Sequence, residues 1–349
     1  MVRRTQRHGG STQRNATGVG APATRTIGRY LLLAFTPWLA LLFFLVDAHA
    51  EAGGAAREKS VAITFDDLPH AHAGEHDGTD APSIESIEDA NARILAALEA
   101  HKAPAIGFVV ESKVRAVGPR AKAILKDWTG PRLTLGNHTF SHADTNSLDI
   151  AGIKREIVDG EKTTRKIMKA AGKELRFLRL PYNHTGDTPE KQKAIAAMAG
   201  KLGYTIAAST IDTSDYVFDR AYVRALAEND TEAAHRIRTA YLMHTQKQIA
   251  YYADLNEQVL GYEPPAIMLL HVNRINADAM RGILSLFEES GYGFITLQKA
   301  QADAAYRRPL SHATKHGPMW GYRWARDRDA EVDGSLEKEP PEWIVSYGE

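Results

Sequence analysis

Two adjacent acids, Asp66 and Asp67, close the apolar run in VAITFDDLPH. Neighbouring side chains on a strand point to opposite faces. The pair therefore either ends a strand in a polar turn or supplies two carboxylates with different tasks. Downstream, LGNHTFSHAD sets His138 and His142 four residues apart. One tight turn of chain can aim both imidazoles at a single point, which makes half of a zinc-type site. RFLRLPYN then brings Arg179 and Tyr182, STIDTSDY brings Asp212, Asp215 and Tyr216, and AIMLLHVN brings Leu269 and His271. Carboxylates and imidazoles of this kind serve as metal ligands and as general acids and bases. Each has an ordinary reading by itself: the His pair as chance spacing, Arg179 as a surface cation, Asp215 as a helix cap, His271 as a core imidazole. Their joint appearance after five apolar runs argues for one site.

The elements that must position these residues are short β-like runs at 61–65, 105–110, 132–135, 176–180, 204–209, 266–271 and 294–297. Helix-like stretches at 87–101, 118–128, 148–172, 188–203 and 276–291 alternate with them. Such alternation predicts a parallel α/β fold, closed or open. The strands are too apolar for a sheet with one wet face. In parallel α/β folds, active groups gather at the C-terminal ends of strands, where all five motifs fall. The stretch 218–261 is long, helical and aromatic; it reads as an outer helix pair, with a lid or substrate wall as the alternative. The tail, 309–349, reads as an irregular extension.

In their order, TFDD, the H-T-x-x-H of GNHTFSH, R-x-P-Y, D-x-x-D-aromatic and L-x-H resemble the polysaccharide deacetylase (NodB-homology, carbohydrate esterase 4) family across residues 60–308. The resemblance implies a distorted (β/α)7 barrel that binds one divalent metal ion, Zn2+ or a similar ion such as Co2+. It implies hydrolysis of N- or O-linked acetyl groups on a polysaccharide or oligosaccharide. Asp67, His138 and His142 would be the metal ligands, with open positions left for water and substrate as a catalytic metal requires. Asp66 would be the general base, kept charged and oriented by Arg179. His271 would be the general acid, paired with Asp215. The backbone N–H of Tyr182 would meet the oxyanion, and Tyr216 and Leu269 would line the acetyl pocket. Three positions depart from the family pattern: Leu68 and Asn183 stand where glycine is usual, and Tyr216 where tryptophan is usual. His70 and His72 read as solvated loop residues.

Composition excludes several classes. Lys+Arg and Asp+Glu both number 43, and nothing suggests nucleic acid. Cysteine is absent, which removes disulfides, thiolate ligands and a Cys nucleophile. Residues 1–50 begin basic, continue through the apolar block 30–46 and end in small residues, the order of a secretory signal peptide cleaved after Ala50. Retention as a membrane anchor is the alternative, and 51–59 would be a connector. The expectation is an exported enzyme, periplasmic or secreted, acting on an acetylated glycan. A non-catalytic, metal-retaining glycan-binding barrel and a hydrolase of a non-sugar amide are the rival readings. Oligomeric state is not legible.

Overall fold

The computed structural model describes residues 58–71 and 82–349. Residues 1–50, where a signal peptide is expected, and His72 lie outside them. VAITF forms the body of β1 (Ser60–Leu68), of which all residues but the first are buried. α1 (Ile84–Ala100) follows, opened by the Ser83 hydroxyl accepting from the Ser86 N–H. β2 (Ala105–Val109) leads into α2 (Glu111–Val117) and α3 (Pro119–Asp127), and then β3 (Leu133–Asn137). The helical pattern at 148–172 resolves into α4 (Ile150–Gly160) and α5 (Lys162–Ala170). β4 (Phe177–Leu178), α6 (Pro189–Lys201) and β5 (Thr205–Ile206) complete the first half.

The second half begins with α7 (Asp215–Ala227) and α8 (Thr231–Leu260). β6 (Ala266–His271), α9 (Arg274–Glu289) and β7 (Gly293–Phe294) follow. Two short turns, α10 (Leu297–Ala300) and α11 (Ala304–Arg307), precede α12 (Trp320–Asp327) and α13 (Glu342–Gly348).

All strands are parallel, in the order β5-β4-β3-β2-β1-β6, with β7 laid against the start of β1. Beyond β5 the chain returns to the far edge: Ile211 bridges Met268, and the Ile211 N–H donates to Ile267 O at 3.2 Å. That bridge closes the sheet on itself as a distorted α/β barrel. Near-continuous apolar strands suit a sheet covered on both faces, and one core cluster runs from Val61 to Ile344. Because every strand points the same way, their C-terminal ends share one rim.

Two regions bear on the site. α7 and α8 pack on each other and on α9, with Tyr241 and Tyr252 of α8 buried, so 218–261 is an outer helix layer that also lends Asp219 and Arg220 to a cavity wall. The tail differs from the irregular extension expected. α12 packs on α8 and α13 on α7, because Trp320, Trp324 and Ile344 supply the apolar anchors that a charged, Pro-rich composition conceals. Among the described residues no helix is long and apolar enough to cross a membrane.

Candidate metal centre and active site

The adjacency of Asp66 and Asp67 is resolved by a β-bulge. β1 pairs Phe65 with Gly107 and then Leu68 with Val109, so three steps on one strand match two on the other. The extra residue bends the strand, and Asp67 takes a left-handed φ of 69°. Asp66 keeps the register and stands opposite His271 on β6. Its carboxylate lies 3.2 and 3.4 Å from Arg179 Nη1. Arg179 is fully buried; its Nη2 donates to Thr64 Oγ1 and Ala208 O, and its guanidinium lies over the Phe108 ring.

Asp67 turns to the histidines. Its Oδ1 is 3.5 Å from His138 Nε2 and 3.4 Å from His142 Nε2, and the ligand atoms of all three lie within 4.8 Å of one another. His138 Nδ1 is 2.9 Å from Arg179 O, which makes Nδ1 the donor and leaves Nε2 as the lone-pair atom facing Asp67. Burial, only partly opposed by Asp67, pushes the His142 imidazole down to about 4. Burial works against ionising Asp67, yet Lys113, His142 and His138 together hold its carboxyl well below the usual range. Asp67 Oδ1 is buried and accepts no hydrogen bond among the described residues. A buried carboxylate oxygen without a donor, facing two imidazole nitrogens, fits a divalent cation of the zinc type.

The histidine loop is held from behind. Asn137 Oδ1 accepts from the Thr139 N–H, while Glu156 accepts from the N–H groups of Phe140 and Ser141. Thr139 and His142 both adopt left-handed φ. Gly160 of α4 lies so close that a Cβ there would stand 2.3 Å from Thr139 C. Gly160→Ala must therefore push the loop away, and we expect about tenfold weaker zinc binding with a lower Tm. Zinc titration with a melting curve checks this; unaltered affinity would refute the role given to the contact.

The departures at Leu68 and Asn183 are accommodated locally. Leu68 is not left-handed; the bulge places that demand on Asp67. Its side chain fills the space over Gly107, where a Cβ would meet it at 2.5 Å. Asn183 does sit at φ 53°, next to Tyr182 at 57°, and asparagine tolerates this region better than most residues. Its side-chain amide donates to Ser209 Oγ at 2.9 Å and its backbone carbonyl accepts from Arg323 Nη2 at 2.7 Å.

On the opposite side, His271 Nδ1 is 2.7 Å from Asp215 Oδ1, and its backbone N–H donates to Asp215 Oδ2. Burial disfavours the imidazolium, but Asp215, with smaller contributions from Asp67 and Asp66, raises it to about 10. Asn276 donates to Asp215 Oδ2 and to His271 O, and Tyr241 of α8 donates to Asn276 Oδ1. The helical insertion thus supplies a buried brace behind the Asp–His pair.

These groups face one cavity of about 450 Å³, whose walls also include Tyr182, Tyr216 and Leu269. Every site residue named from the sequence is brought to it directly or, for Arg179 and Asp215, one contact behind it. Several neighbours carried no motif: Lys113, Asn276, Tyr241, and Gly317 and Met319 from the tail. Asp219 lines the cavity as well, its carboxyl raised by burial to about 7. Asp212, the first acid of the D-x-x-D-aromatic motif, also lines the cavity; burial raises it to about 6. His70 differs from expectation: it is 8% exposed, since Ala71 N–H bonds Val272 O and Lys113 Nζ bonds His70 O, tying the segment to the rim.

Comparison with known proteins bears on the same part of the chain. The polysaccharide deacetylase family model matches residues 53–207. A chitin deacetylase of Pestalotiopsis sp is 33% identical over 110 residues, which are 32% of this chain and 34% of that protein. The match thus spans about a third of the curated relative's length. A polysaccharide deacetylase from Bacillus cereus aligns over 68% of this chain and 91% of its own, at 18% identity and a TM-score of 0.47. A carbohydrate esterase 4 pseudoenzyme from Bacillus anthracis aligns over 70% and 66%, at 16% identity and a TM-score of 0.45. The matched stretch 53–207 carries the first three of the five ordered motifs and is similar to the polysaccharide deacetylase (NodB-homology, carbohydrate esterase 4) family.

Proposed function

We propose that the protein is an exported, metal-dependent hydrolase that removes acetyl groups from an acetylated polysaccharide or oligosaccharide. The observation that carries this reading is the meeting of three groups in one cavity: the Asp67–His138–His142 donor set, the Asp66–Arg179 pair and the His271–Asp215 pair. Zinc, or cobalt in its place, suits one carboxylate and two imidazoles. Bound there, the ion supplies Lewis-acid polarisation of the acetyl carbonyl and acidifies water.

The remaining chemistry belongs to the chain. Asp66 accepts a proton from the attacking water as its oxygen bonds to the acetyl carbon. The Tyr182 N–H donates to the oxygen that gains charge. His271, held as the imidazolium by Asp215, protonates the nitrogen as the C–N bond breaks, or the oxygen of an O-linked ester. Acetate and the free sugar amine or hydroxyl leave. The basic, apolar, small-residue order of residues 1–50 supports export, which suits a glycan outside the cytoplasm.

Zinc-loaded protein incubated with N-acetylglucosamine oligomers, peptidoglycan and O-acetylated glycans should release acetate from at least one. Chelation should abolish the release, and zinc or cobalt should restore it. Tight glycan binding with no acetate from any of them would replace this reading with a binding barrel.

A further inference from the structure

A second cavity, of about 200 Å³, adjoins the catalytic one and shares Tyr216 and Arg220 with it. Its far wall comes from the tail: Glu339, Pro340 and Val345. The wall is held in place rather than loosely draped. Ile344 of α13 is fully buried against the core cluster, α13 packs along α7, and a Cβ on Gly348 would stand 3.3 Å from Ala221 N. Tyr216, 56% exposed, stands as the ridge between the two cavities, and Val345 is 39% exposed on the tail side.

An exposed aromatic ridge and an apolar wall, flanked by one guanidinium and one carboxylate, match a pyranose ring. Such a ring offers apolar C–H faces to an aromatic or aliphatic surface and hydroxyls to planar charged groups at its edge. Continuity with the catalytic cavity determines whose ring it is. We propose that the tail-built cavity binds the sugar residue next to the one being deacetylated, so that α13 and the segment before it make the enzyme select for oligosaccharide length. This rests on the glycan deacetylase reading above. The tail lies beyond the stretch matched by the family model, which ends at residue 207.

The test compares the zinc-loaded full chain with its Glu339→Ala and Val345→Arg variants on N-acetylglucosamine and on its dimer, which alone of the two carries an adjacent sugar. Both positions are solvent-facing, and melting curves report folding. The parent should show kcat/KM about tenfold higher on the dimer, the range one additional subsite provides. That ratio should fall toward one in both variants. An unchanged ratio, or an equal loss on both lengths, would overturn the proposal. If no acetate is released, calorimetry of dimer binding separates the two readings. Binding that the variants weaken about tenfold leaves the subsite standing and the deacetylase reading failed; absence of dimer binding by the parent overturns the subsite as well.

Discussion

Asp66→Asn will release acetate at least a hundredfold more slowly than the parent while retaining its zinc. General-base catalysis is worth about 10²–10⁴-fold, and asparagine keeps the shape of the side chain but cannot take a proton. Zinc content is expected to persist because the donor set is Asp67, His138 and His142, and the Asp66 carboxylate is turned to Arg179 instead. The variant will also be less stable. Arg179 is fully buried and, among the described residues, its charge is answered by the Asp66 carboxylate alone; its other acceptors are Thr64 Oγ1 and Ala208 O. Removing one partner of a buried pair leaves a charge without compensation, at a cost of about 3–5 kcal/mol. Rates must therefore be expressed per folded protein, measured below the lowered Tm. A His138→Ala, His142→Ala double variant provides the contrast, losing metal and activity together. Acetate release by Asp66→Asn within a few-fold of the parent, at equal zinc occupancy, would remove Asp66 from the mechanism.

That separation of duties between neighbours depends on the bulge, which the sequence does not display. TFDD announces a strand end with two acids, and alternation places them on opposite faces. Only the register shift between Phe65 and Leu68 and the left-handed Asp67 let both carboxylates serve one rim. Motif residues were legible because each follows an apolar run, and parallel strands bring their ends together. The brace through Asn276 and Tyr241 was not, since a helical Asn and a helical Tyr look the same whether they face solvent or a buried carboxylate. The tail was misread for a related reason. Trp320, Trp324 and Ile344 are isolated apolar residues in charged surroundings, and their burial depends on partners in α7 and α8 far away in the chain. Local pattern signals a helix when a whole face is apolar; here a few anchors suffice because the barrel and its helices already present a surface to dock on.

The brace leads to the second large effect. Asp215→Asn is expected to move the alkaline limb of kcat/KM downward and to cost about a hundredfold at pH 8, with a smaller loss at pH 6. In the parent, Asp215 outweighs burial and keeps His271 protonated up to about 10, so the proton donor persists through neutral pH. A divalent ion beside Asp67 offsets the help that Asp66 and Asp67 give, which places the limb of the loaded enzyme below 10. Without the Asp215 charge, burial prevails and the imidazole falls below its ordinary value of about 6.5. Most molecules would then lack the donated proton at pH 8, and fewer would at pH 6. The same shift has a signature in stability. A histidine whose folded pKa is raised contributes stability that is fully present below about 6.5 and is lost as pH rises through the folded value. The metal-free parent should therefore lose stability between about 6.5 and about 10, a decline that Asp215→Asn should flatten. Asn276→Leu, which leaves the charge and removes only the brace, should shift the limb less than Asp215→Asn. An alkaline limb that stays in place in Asp215→Asn would show that His271 does not supply the proton.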